Sequence, residues 1–379
     1  MTVVAPIRVD CIVGARPNFI KMAPILAAFT AHGGFATRLM HTGQHYDVDM
    51  NAVFFQQLGL PEPNLNLEIG SGTQTVQTAR IMIGLEEAFQ NDRPDLVLVV
   101  GDVNSTVAAA MVSAKMRIPL AHVEAGLRSF DMDMPEEINR LVTDRLSDLL
   151  LTTERAAGPL LESEGVRADA IHFVGNVMID TLLAHLDKAI PVAETVDRHA
   201  PGMANRLAEG YALVTLHRPS NVDNPEQLAG LLGVLGELAE RMPVIFTLHP
   251  RTKARIEENG QEGLLEKRGI IAVPPLSYFE MQGAVRTATV VVTDSGGLQE
   301  ETTALGVPCL TVRDNTERPI TIIEGTNTLV GSSPDALRAE IKRLARGESK
   351  RGRIPELWDG KAAERIAAVI AEFIAARRA

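Results

Sequence analysis

The chain has 379 residues, of which 45% are hydrophobic and 22% charged, and its formal net charge is -11. This is the composition of a globular protein long enough to form two or three domains, each with its own core. The acidic balance disfavours a general nucleic-acid binder or a protein of anionic membrane surfaces, so an anionic ligand would need a locally positive site.

The features that report on location predict a cytoplasmic protein. No apolar run approaches the roughly 18 residues of a membrane span, and the N-terminus lacks the pattern of a secretory signal peptide. Cys11 and Cys309 each lie in an apolar, strand-like run. We expect both to be buried thiols in a reducing compartment.

Short apolar runs alternate with helical patterns along the whole chain. Stretches such as 107–117 and 227–240 repeat apolar residues at spacings of three and four, which indicates helices. Near-continuously apolar strands that alternate with helices predict an α/β fold with parallel sheets covered on both faces. The predicted strands form two series, which are 9–13, 95–100, 119–123, 149–151 and 171–174, then 211–216, 244–248, 270–273, 290–293 and 307–312.

The region between the two series separates two predicted α/β domains. Residues 187–210 include "IPVAETVDRHAPG" and lack a sustained strand pattern, as a linker region does. The predicted domains are 1–187 and 188–361. A C-terminal segment, 362–379, carries a helix with no strand after it, which we expect to pack back on the first domain.

The segments that follow the predicted strands carry most of the functional information, because ligands of open parallel sheets bind beyond the carboxyl ends of the strands. "GARPNFIK", "GDVNST" and "EAGLRS" follow strands of the first series, and "HRPSN", "HPRT", "DSGGLQEE" and "RDNTERP" follow strands of the second. If the two sheets face each other, these strand ends line one cleft.

The segment "TDSGGLQEE" predicts a strand, a turn and a helix. Ser295 can cap that helix, and Gly296 and Gly297 let backbone N–H groups approach a diphosphate at its N-terminus. Glu300 or Glu301 could then reach a ribose hydroxyl. The alternative is an ordinary helix start, in which the glutamates favour the positive end of the helix dipole.

The segment "GARPNFIK" has the same form, with Arg16 and Lys21 after a glycine turn. It is not a GxGxxG fingerprint, and the chain has no GxxxxGK[ST] loop. A dinucleotide cofactor is therefore not supported, and we expect no cofactor.

Asp102, Glu124, Glu136 and His217 are the candidates for acid–base chemistry, because all four belong to segments that follow strands or begin a helix. Carboxylates collected in a cleft raise one another's pKa and can serve as acid and base. Each has a structural alternative. Asp102 could cap a helix, Glu136 and Glu137 could pair with Arg140, and His217 could be a packed histidine. We find no metal-ligand spacing and no GxSxG elbow.

Ten motifs, in one order, resemble those of the non-hydrolysing UDP-N-acetylglucosamine 2-epimerases from about residue 8 to about residue 370. They are "GARPNFIKMAPI", "TGQHYD", "VVGDVNST", "HVEAGLRS", "MPEEINR", "GNVMIDTL", "LVTLHRPSN", "TDSGGLQEE", "LGVPCLTVRDNTERP" and "GTNTLVG". Each motif alone is weak, whereas the ordered set is specific.

This resemblance implies two Rossmann-like domains that face a central cleft, as in the glycosyltransferase-B fold. It implies interconversion of UDP-GlcNAc and UDP-ManNAc, precursors of cell-surface polysaccharides, by elimination of UDP to 2-acetamidoglucal and re-addition. The partners it implies are a UDP-sugar substrate and a second copy in a homodimer, with no metal, nucleic acid or membrane.

The resemblance also assigns roles residue by residue. Asp102, Glu124 and Glu136 match the family's catalytic carboxylates, and only one of Glu136 and Glu137 should face the substrate. His217 matches a histidine near the diphosphate. The remaining matches are the UDP-binding residues Arg16, Lys21, Ser295, Gly296, Gly297, Glu301 and Arg318.

Some positions depart from the family's pattern. Met281 stands where members carry an aromatic residue that packs on uracil, and Tyr278 or Phe279 could compensate. Gln44, Gln74 and His249 match a second, activator site of bacterial members, but Asp47, Thr73 and the loop "HRPSN" differ there, which argues against activation by substrate. The alternative functions are a 2-epimerase of another UDP-HexNAc, such as a UDP-diacetamido-uronic acid, a hydrolysing relative, or a glycosyltransferase of the same fold.

Overall fold

The computed structural model describes residues 5–43, 55, 57–267 and 269–378. The chain divides into two compact units. The first comprises Met1–Thr181 and Glu356–Ala379, and the second comprises Leu182–Pro355. The sequence places the corresponding junctions at 187/188 and 361/362.

The first unit is a seven-stranded sheet with its helices. Its strands are β1 (Ile7–Val13), β2 (Phe35–His41), β3 (Leu65–Asn66), β4 (Leu96–Val100), β5 (Leu120–Ala125), β6 (Leu149–Thr152) and β7 (Ile171–Phe173). Its helices are α1 (Arg16–His32), α2 (Gln74–Asn91), α3 (Asn104–Met116), α4 (Pro135–Leu146) and α5 (Ala157–Ser163), and α6 (Val177–His185) contains the first junction.

The second unit is a six-stranded sheet with its helices. Its strands are β8 (Ala212–Thr215), β9 (Val244–Thr247), β10 (Ile271–Val273), β11 (Val290–Thr293), β12 (Cys309–Thr311) and β13 (Asn327–Leu329). Its helices are α7 (Val192–His199), α8 (Pro219–Val222), α9 (Pro225–Ala239), α10 (Pro250–Glu258), α11 (Glu262–Lys267), α12 (Tyr278–Arg286), α13 (Gly296–Leu305), α14 (Pro319–Ile323) and α15 (Pro334–Ala345). The chain ends with α16 (Ala362–Arg378), which belongs to the first unit.

Both sheets have the strand order of a doubly wound fold. The order is β3-β2-β1-β4-β5-β6-β7 in the first sheet and β10-β9-β8-β11-β12-β13 in the second, and the paired strands run parallel. The order reverses between β1 and β4 and again between β8 and β11. Ligands of such sheets bind beyond the carboxyl ends of the strands at this reversal, so these two points position the candidate residues.

The packing explains why apolar runs became central strands. The β4 sequence, LVLVV, is buried throughout. In the second unit, Ala212 and Val214 of β8 belong to one hydrophobic cluster and Leu213 to another. Alternate side chains of one strand therefore fill cores on opposite faces of the sheet, as the continuously apolar pattern predicts.

The predicted α/β class is confirmed, but the sequence missed three peripheral strands. In β2, the first four residues are exposed or only partly buried, β3 has two residues, and β13 is the short polar segment NTL. Residues 187–210, all described, contain no strand, but they do form α7 and a 3-10 turn at Ala204–Leu207.

The C-terminal segment is tied to the first unit by specific contacts. Helix α16 packs against α1, and the Asp180 carboxylate accepts the N–H groups of Ala362 at 3.1 Å and Ala363 at 2.7 Å. Trp358 is buried and donates its indole N–H to the Thr153 carbonyl at 3.2 Å. No helix in the described part of the chain is long and apolar enough to cross a membrane.

Candidate active site

Gly101 lies against two of the candidate residues of the first unit, Lys21 and Glu124. It follows β4 at the strand-order reversal and has a φ of 69°. Lys21 on α1 and Glu124 on β5 are both buried and form an ion pair. A Cβ on Gly101 would lie 3.1 Å from Lys21 Nζ and 3.4 Å from Glu124 Oε2. Glycine is therefore required both by the left-handed backbone and by the close packing of this pair.

Glu124 is presented by an irregular strand end. Its φ is 70°, in the left-handed region that non-glycine residues rarely adopt. The register between β5 and β6 shifts between Val123 and Ala125, as in a β-bulge. Such a bulge re-aims one side chain, and backbone strain of about 1–3 kcal/mol is typical of functional sites.

Asp102 does not cap the following helix, because the residue at the cap position of α3 is Val103. The Asp102 carboxylate instead pairs with Arg140 of α4, and its backbone carbonyl accepts the Asn139 side-chain amide at 2.8 Å. The Asp102 side chain is 29% exposed. The Asp102 carboxylate is therefore held by Arg140 but remains partly accessible to solvent, which suits a group that transfers a proton.

The adjacent carboxylates at the start of α4 have different environments. Glu137 is buried and accepts the Ser129 N–H at 3.0 Å, the Phe130 N–H at 2.9 Å and the Arg140 guanidinium at 2.5 Å. Burial would raise the pKa of Glu137, but these hydrogen bonds outweigh it and lower that pKa. Glu136 is only partly buried, and its carboxylate makes no hydrogen bond or ion pair within the described residues. Glu137 thus holds the loop that contains Ser129 and Phe130, and Glu136 takes no part in this network.

The turn after β1 is organised by Asn18, which the sequence did not single out. Its Oδ1 accepts the N–H groups of Gly14 and Ala15, both at 3.0 Å, and its Nδ2 donates to the Val100 carbonyl at 3.0 Å. Asn18 thus ties the end of β1 to the end of β4. Arg16 is exposed at the first position of α1.

His217 of the second unit is oriented by Asp294, which the sequence analysis also did not single out. Their side chains approach at 2.8 Å between Nδ1 and Oδ1. Asp294 is fully buried and also accepts the backbone N–H of Arg218 at 2.9 Å and the Asn221 amide at 3.0 Å. Burial would raise the pKa of Asp294, but the contact with His217 and these hydrogen bonds lower it. The imidazole is therefore fixed through Nδ1, and Nε2 is the atom that can meet a ligand.

The predicted diphosphate turn lies at the start of α13. Ser295 is at the cap position, but its hydroxyl makes no capping hydrogen bond. A Cβ on Gly296 would lie 2.8 Å from Glu317 Oε1. The absence of a side chain at Gly296 therefore lets the segment "TERP" lie against the helix N-terminus, where backbone N–H groups suit an anion.

Arg318 is held beside this turn by buried carboxylates. Its Nε is 3.0 Å from Glu300 Oε2, and its Nη1 is 3.1 Å from Glu317 Oε1. Glu317 also pairs with Arg313 at 2.7 Å. Although burial opposes ionisation, the two arginines strongly lower the pKa of Glu317. These contacts therefore fix the position of the Arg318 guanidinium group.

Glu301 follows Glu300 on α13 and lies near Tyr278 of α12. Tyr278 is buried, and burial together with the nearby charge of Glu301 raises its pKa. Phe279 stacks on His185 with ring centroids 5.8 Å apart, and Met281 packs against the hydrophobic core. Stacking of uracil on Tyr278 or Phe279 would therefore need one of these contacts to change.

The residues matched to an activator site give an incomplete set. Gln44 and Asp47 lie outside the described residues. Gln74 is exposed at the first position of α2, directly after the cap residue Thr73. His249 belongs to the second unit, where its ring centroid lies 5.3 Å from that of His217.

Within 5–43, 55, 57–267 and 269–378, no three His, Cys, Asp or Glu side chains are grouped as metal ligands would be.

Comparison with known proteins gives one consistent family. A family model described as UDP-N-acetylglucosamine 2-epimerase matches residues 27–371. The UDP-N-acetylglucosamine 2-epimerase of Methanocaldococcus jannaschii is 39% identical over 366 residues, 96% of this chain and 98% of the relative. The UDP-2,3-diacetamido-2,3-dideoxy-D-glucuronate 2-epimerase of Pseudomonas aeruginosa is 38% identical over 370 residues, 97% of this chain and 100% of the relative.

Solved structures agree with the sequence relatives. The crystal structure of the M. jannaschii UDP-GlcNAc 2-epimerase in complex with UDP-GlcNAc and UDP has a TM-score of 0.84 and 39% identity, and it covers 97% of this chain and 100% of that chain. The UDP-GlcNAc 2-epimerase of Neisseria meningitidis, bound to UDP-GlcNAc, has a TM-score of 0.85 and 26% identity, with coverage of 97% and 100%. These findings confirm the predicted glycosyltransferase-B-like pair of Rossmann-like domains, and the chain belongs to the UDP-N-acetylglucosamine 2-epimerase family.

Proposed function

We propose that this protein interconverts UDP-N-acetylglucosamine and UDP-N-acetylmannosamine. A base removes the C2 proton, the C1–O bond breaks and its electron pair leaves with UDP, and a C1=C2 double bond forms. Protonation of the opposite face of C2 and addition of a UDP oxygen to C1 complete the epimerisation. Asp102, Glu124 and Glu136 supply the acid and base.

The observation that carries this proposal is the grouping around Gly101. Inversion at C2 needs a base on one face and an acid on the other. Glu124 of β5 packs against Gly101, whereas Asp102 directly follows Gly101 and pairs with Arg140 of α4. Their surroundings also differ, since Glu124 is buried against Lys21 whereas Asp102 is partly exposed beside Arg140. Different environments are what separate the acid and base roles of two carboxylates.

The second unit supplies what a UDP leaving group needs. The helix N-terminus after Ser295, His217 and Arg318 offer N–H donors and positive charge for a diphosphate. Arg16, exposed at the first position of α1, is a further cation that we assign to UDP. No role in the proposed chemistry needs a redox cofactor, because no electron is transferred.

Proton NMR in D₂O tests the proposal. The protein is incubated with UDP-GlcNAc alone, and we expect UDP-ManNAc to appear with deuterium at C2. Release of free ManNAc and UDP would indicate the hydrolysing relative. Retention of the C2 proton, with no new sugar, would contradict epimerisation of this substrate.

A second candidate substrate is UDP-2,3-diacetamido-2,3-dideoxy-D-glucuronate. It is supported by the P. aeruginosa relative, whose 38% identity nearly equals the 39% of the M. jannaschii relative. The two substrates should be compared by kcat/KM in the same exchange assay. A higher value for the diacetamido-uronate would reassign the substrate while leaving the reaction type intact.

We also propose that the protein works as a homodimer in the cytoplasm. Val76 and Ile83 of α2 and Ile138 of α4 are exposed apolar side chains that a second copy would cover. The two cysteines are buried free thiols, as in a reducing compartment. Light scattering should give twice the 41.0 kDa of one chain, and a monomer would contradict the assembly.

A further inference from the structure

His122 links the candidate carboxylates to helix α4. It lies on β5, two residues before Glu124, and is completely buried. Its Nδ1 is 2.6 Å from Oδ1 of Asp144 on α4, and its Nε2 is 2.8 Å from the carbonyl oxygen of Gly101. The ring therefore connects the helix to the peptide group that leads into Asp102.

Both partners of the His122 ring are acceptors. The Gly101 oxygen is a backbone carbonyl. The Asp144 carboxylate already accepts the Gly126 N–H at 3.0 Å and pairs with Arg128 at 2.7 Å. Burial would raise the pKa of Asp144, but the contacts with His122 and Arg128 lower it. The Arg128 guanidinium and the Gly126 N–H, both on Oδ2, favour the ionised carboxylate independently of His122. A neutral imidazole would direct a lone pair at one acceptor, whereas an imidazolium donates to both.

The buried charges around His122 balance when the ring is protonated. Arg128 also forms a two-point ion pair with Glu164, at 3.0 Å from Nε and 2.7 Å from Nη2. The connected group then holds two cations, His122 and Arg128, and two anions, Asp144 and Glu164. The positive charge of a protonated His122 ring is therefore balanced by a negative charge in the same group, as a buried ion requires.

We propose that His122, with both ring nitrogens protonated, is a positioning residue that fixes the Gly101 carbonyl and thereby the aim of Asp102. The catalytic consequence rests on the proposed epimerase function, whereas the protonation state does not. A shift of Gly101 would also disturb the Lys21–Glu124 pair packed against it. Loss of this support lowers kcat, while UDP binding by the second unit is retained.

The first test reads the ring directly in the intact wild-type protein. Nitrogen-15 NMR of the histidine side chains, recorded at about pH 8, distinguishes a ring nitrogen that carries a proton from one that does not. His122, assigned through bonds from its backbone, should show two protonated nitrogens. A single protonated nitrogen on His122 would overturn the proposal, and this test needs no variant.

The second test is a pair of variants. In His122→Gln, the amide N–H can donate to Gly101, but the amide oxygen then faces the Asp144 carboxylate. In His122→Gln/Asp144→Asn, the asparagine N–H can meet that oxygen while its own oxygen still accepts from Gly126. In the single variant we expect kcat to fall about 10²-fold, with KM within about threefold of the wild-type value. In the double variant we expect kcat to be at least about tenfold higher than in the single variant.

The outcomes separate this proposal from the proposed function. Equal loss in single and double variants, or a higher KM at unchanged kcat, would overturn the positioning role. If either variant fails to fold by calorimetry, the ring spectrum of the wild type decides. If the wild type exchanges C2 of neither UDP-sugar, the proposed function fails, and two protonated nitrogens on His122 would still support the proposal.

Discussion

At the scale of single residues, the neighbouring glutamates of α4 give the sharpest test of the catalytic assignment. Asp102→Asn and Glu136→Gln should each reduce kcat by at least about 10²-fold, as expected when an acid–base group is lost. UDP affinity and the melting temperature should change little, because Asp102 is partly exposed and the Glu136 carboxylate has no hydrogen bond or ion pair within the described chain. Rate measurements with calorimetry check both.

Glu137→Gln is the matched control for Glu136→Gln. It removes a buried charge that pairs with Arg140 and holds the N–H groups of Ser129 and Phe130. We expect a lower melting temperature, since breaking a buried pair typically costs about 3–5 kcal/mol. If the two glutamine variants lost the same activity with the same stability, the separate roles of these glutamates would be wrong.

Arg318 and Arg313 form a second matched pair, for UDP binding. Both are buried and both pair with Glu317, so either alanine variant should lower the melting temperature. Only Arg318 also contacts Glu300 of α13, the helix whose N-terminus we assign to the diphosphate. Arg318→Ala should therefore weaken UDP binding about tenfold or more, as loss of a charge-assisted bond does, while Arg313→Ala should not. Isothermal titration calorimetry with UDP measures the difference.

The sequence patterns identified the candidate functional side chains better than they identified the residues that pair with those side chains. Asp102, Glu124 and His217 could be found because each belongs to a segment that follows an apolar run. Arg140 and Asp294 could not be assigned in the same way, because their contacts join residues far apart in the chain. Such pairings depend on strand order, which a single sequence does not give.

At the scale of elements, the same limit explains which strands were found. Central strands such as β4 are apolar throughout because both of their faces are buried. The strand β2 begins in partly solvent-exposed surroundings and contains Thr37 and Arg38, so its pattern does not stand out. Edge strand β13 is only three residues long. Periodicity therefore predicts the apolar strands, including the edge strands β7 and β10, and misses the short or partly exposed strands β2, β3 and β13.

The position of the start of helix α13 can be tested by a glycine substitution. Gly296→Ala would place a Cβ 2.8 Å from Glu317 Oε1, so either the helix start or the "TERP" segment must shift. We expect UDP binding to weaken about tenfold or more, because displacement of about 1 Å can cost as much as 10²-fold. Gly263→Ala in α11 is the control, since nothing lies within 4 Å of its added Cβ. Equal UDP affinity in both variants would show that the start of α13 does not bind the diphosphate.

At the scale of the whole molecule, buried carboxylates in both units predict acid-sensitive folding. The pKa values of Glu137, Asp144, Asp294 and Glu317 are lowered, because cations and N–H donors outweigh burial. A carboxyl group with a lower pKa in the folded state binds fewer protons than it does when unfolded. It therefore stabilises the fold above its ordinary pKa, and this contribution is lost as pH falls through the lower, folded value.

Two other carboxyl groups act in the opposite direction. Burial raises the pKa of Asp10 and Asp180 above the ordinary value of 3.8, despite the partners of each. Their contribution is present below 3.8 and is lost as pH rises through the folded value. The carboxyl groups with a lowered pKa are more numerous and include the strongly shifted Glu317. The net contribution of all six groups should therefore raise the free energy of unfolding at neutral pH.

The melting temperature should therefore be nearly constant near neutral pH and fall steeply below about pH 4. Calorimetry between about pH 3 and pH 7 measures this profile. Glu137→Gln and Glu317→Gln should be less stable near neutral pH and should show a shallower acid dependence, because each removes one group that must take up a proton on unfolding. An unchanged slope in both variants would mean that the acid sensitivity arises from other carboxyl groups.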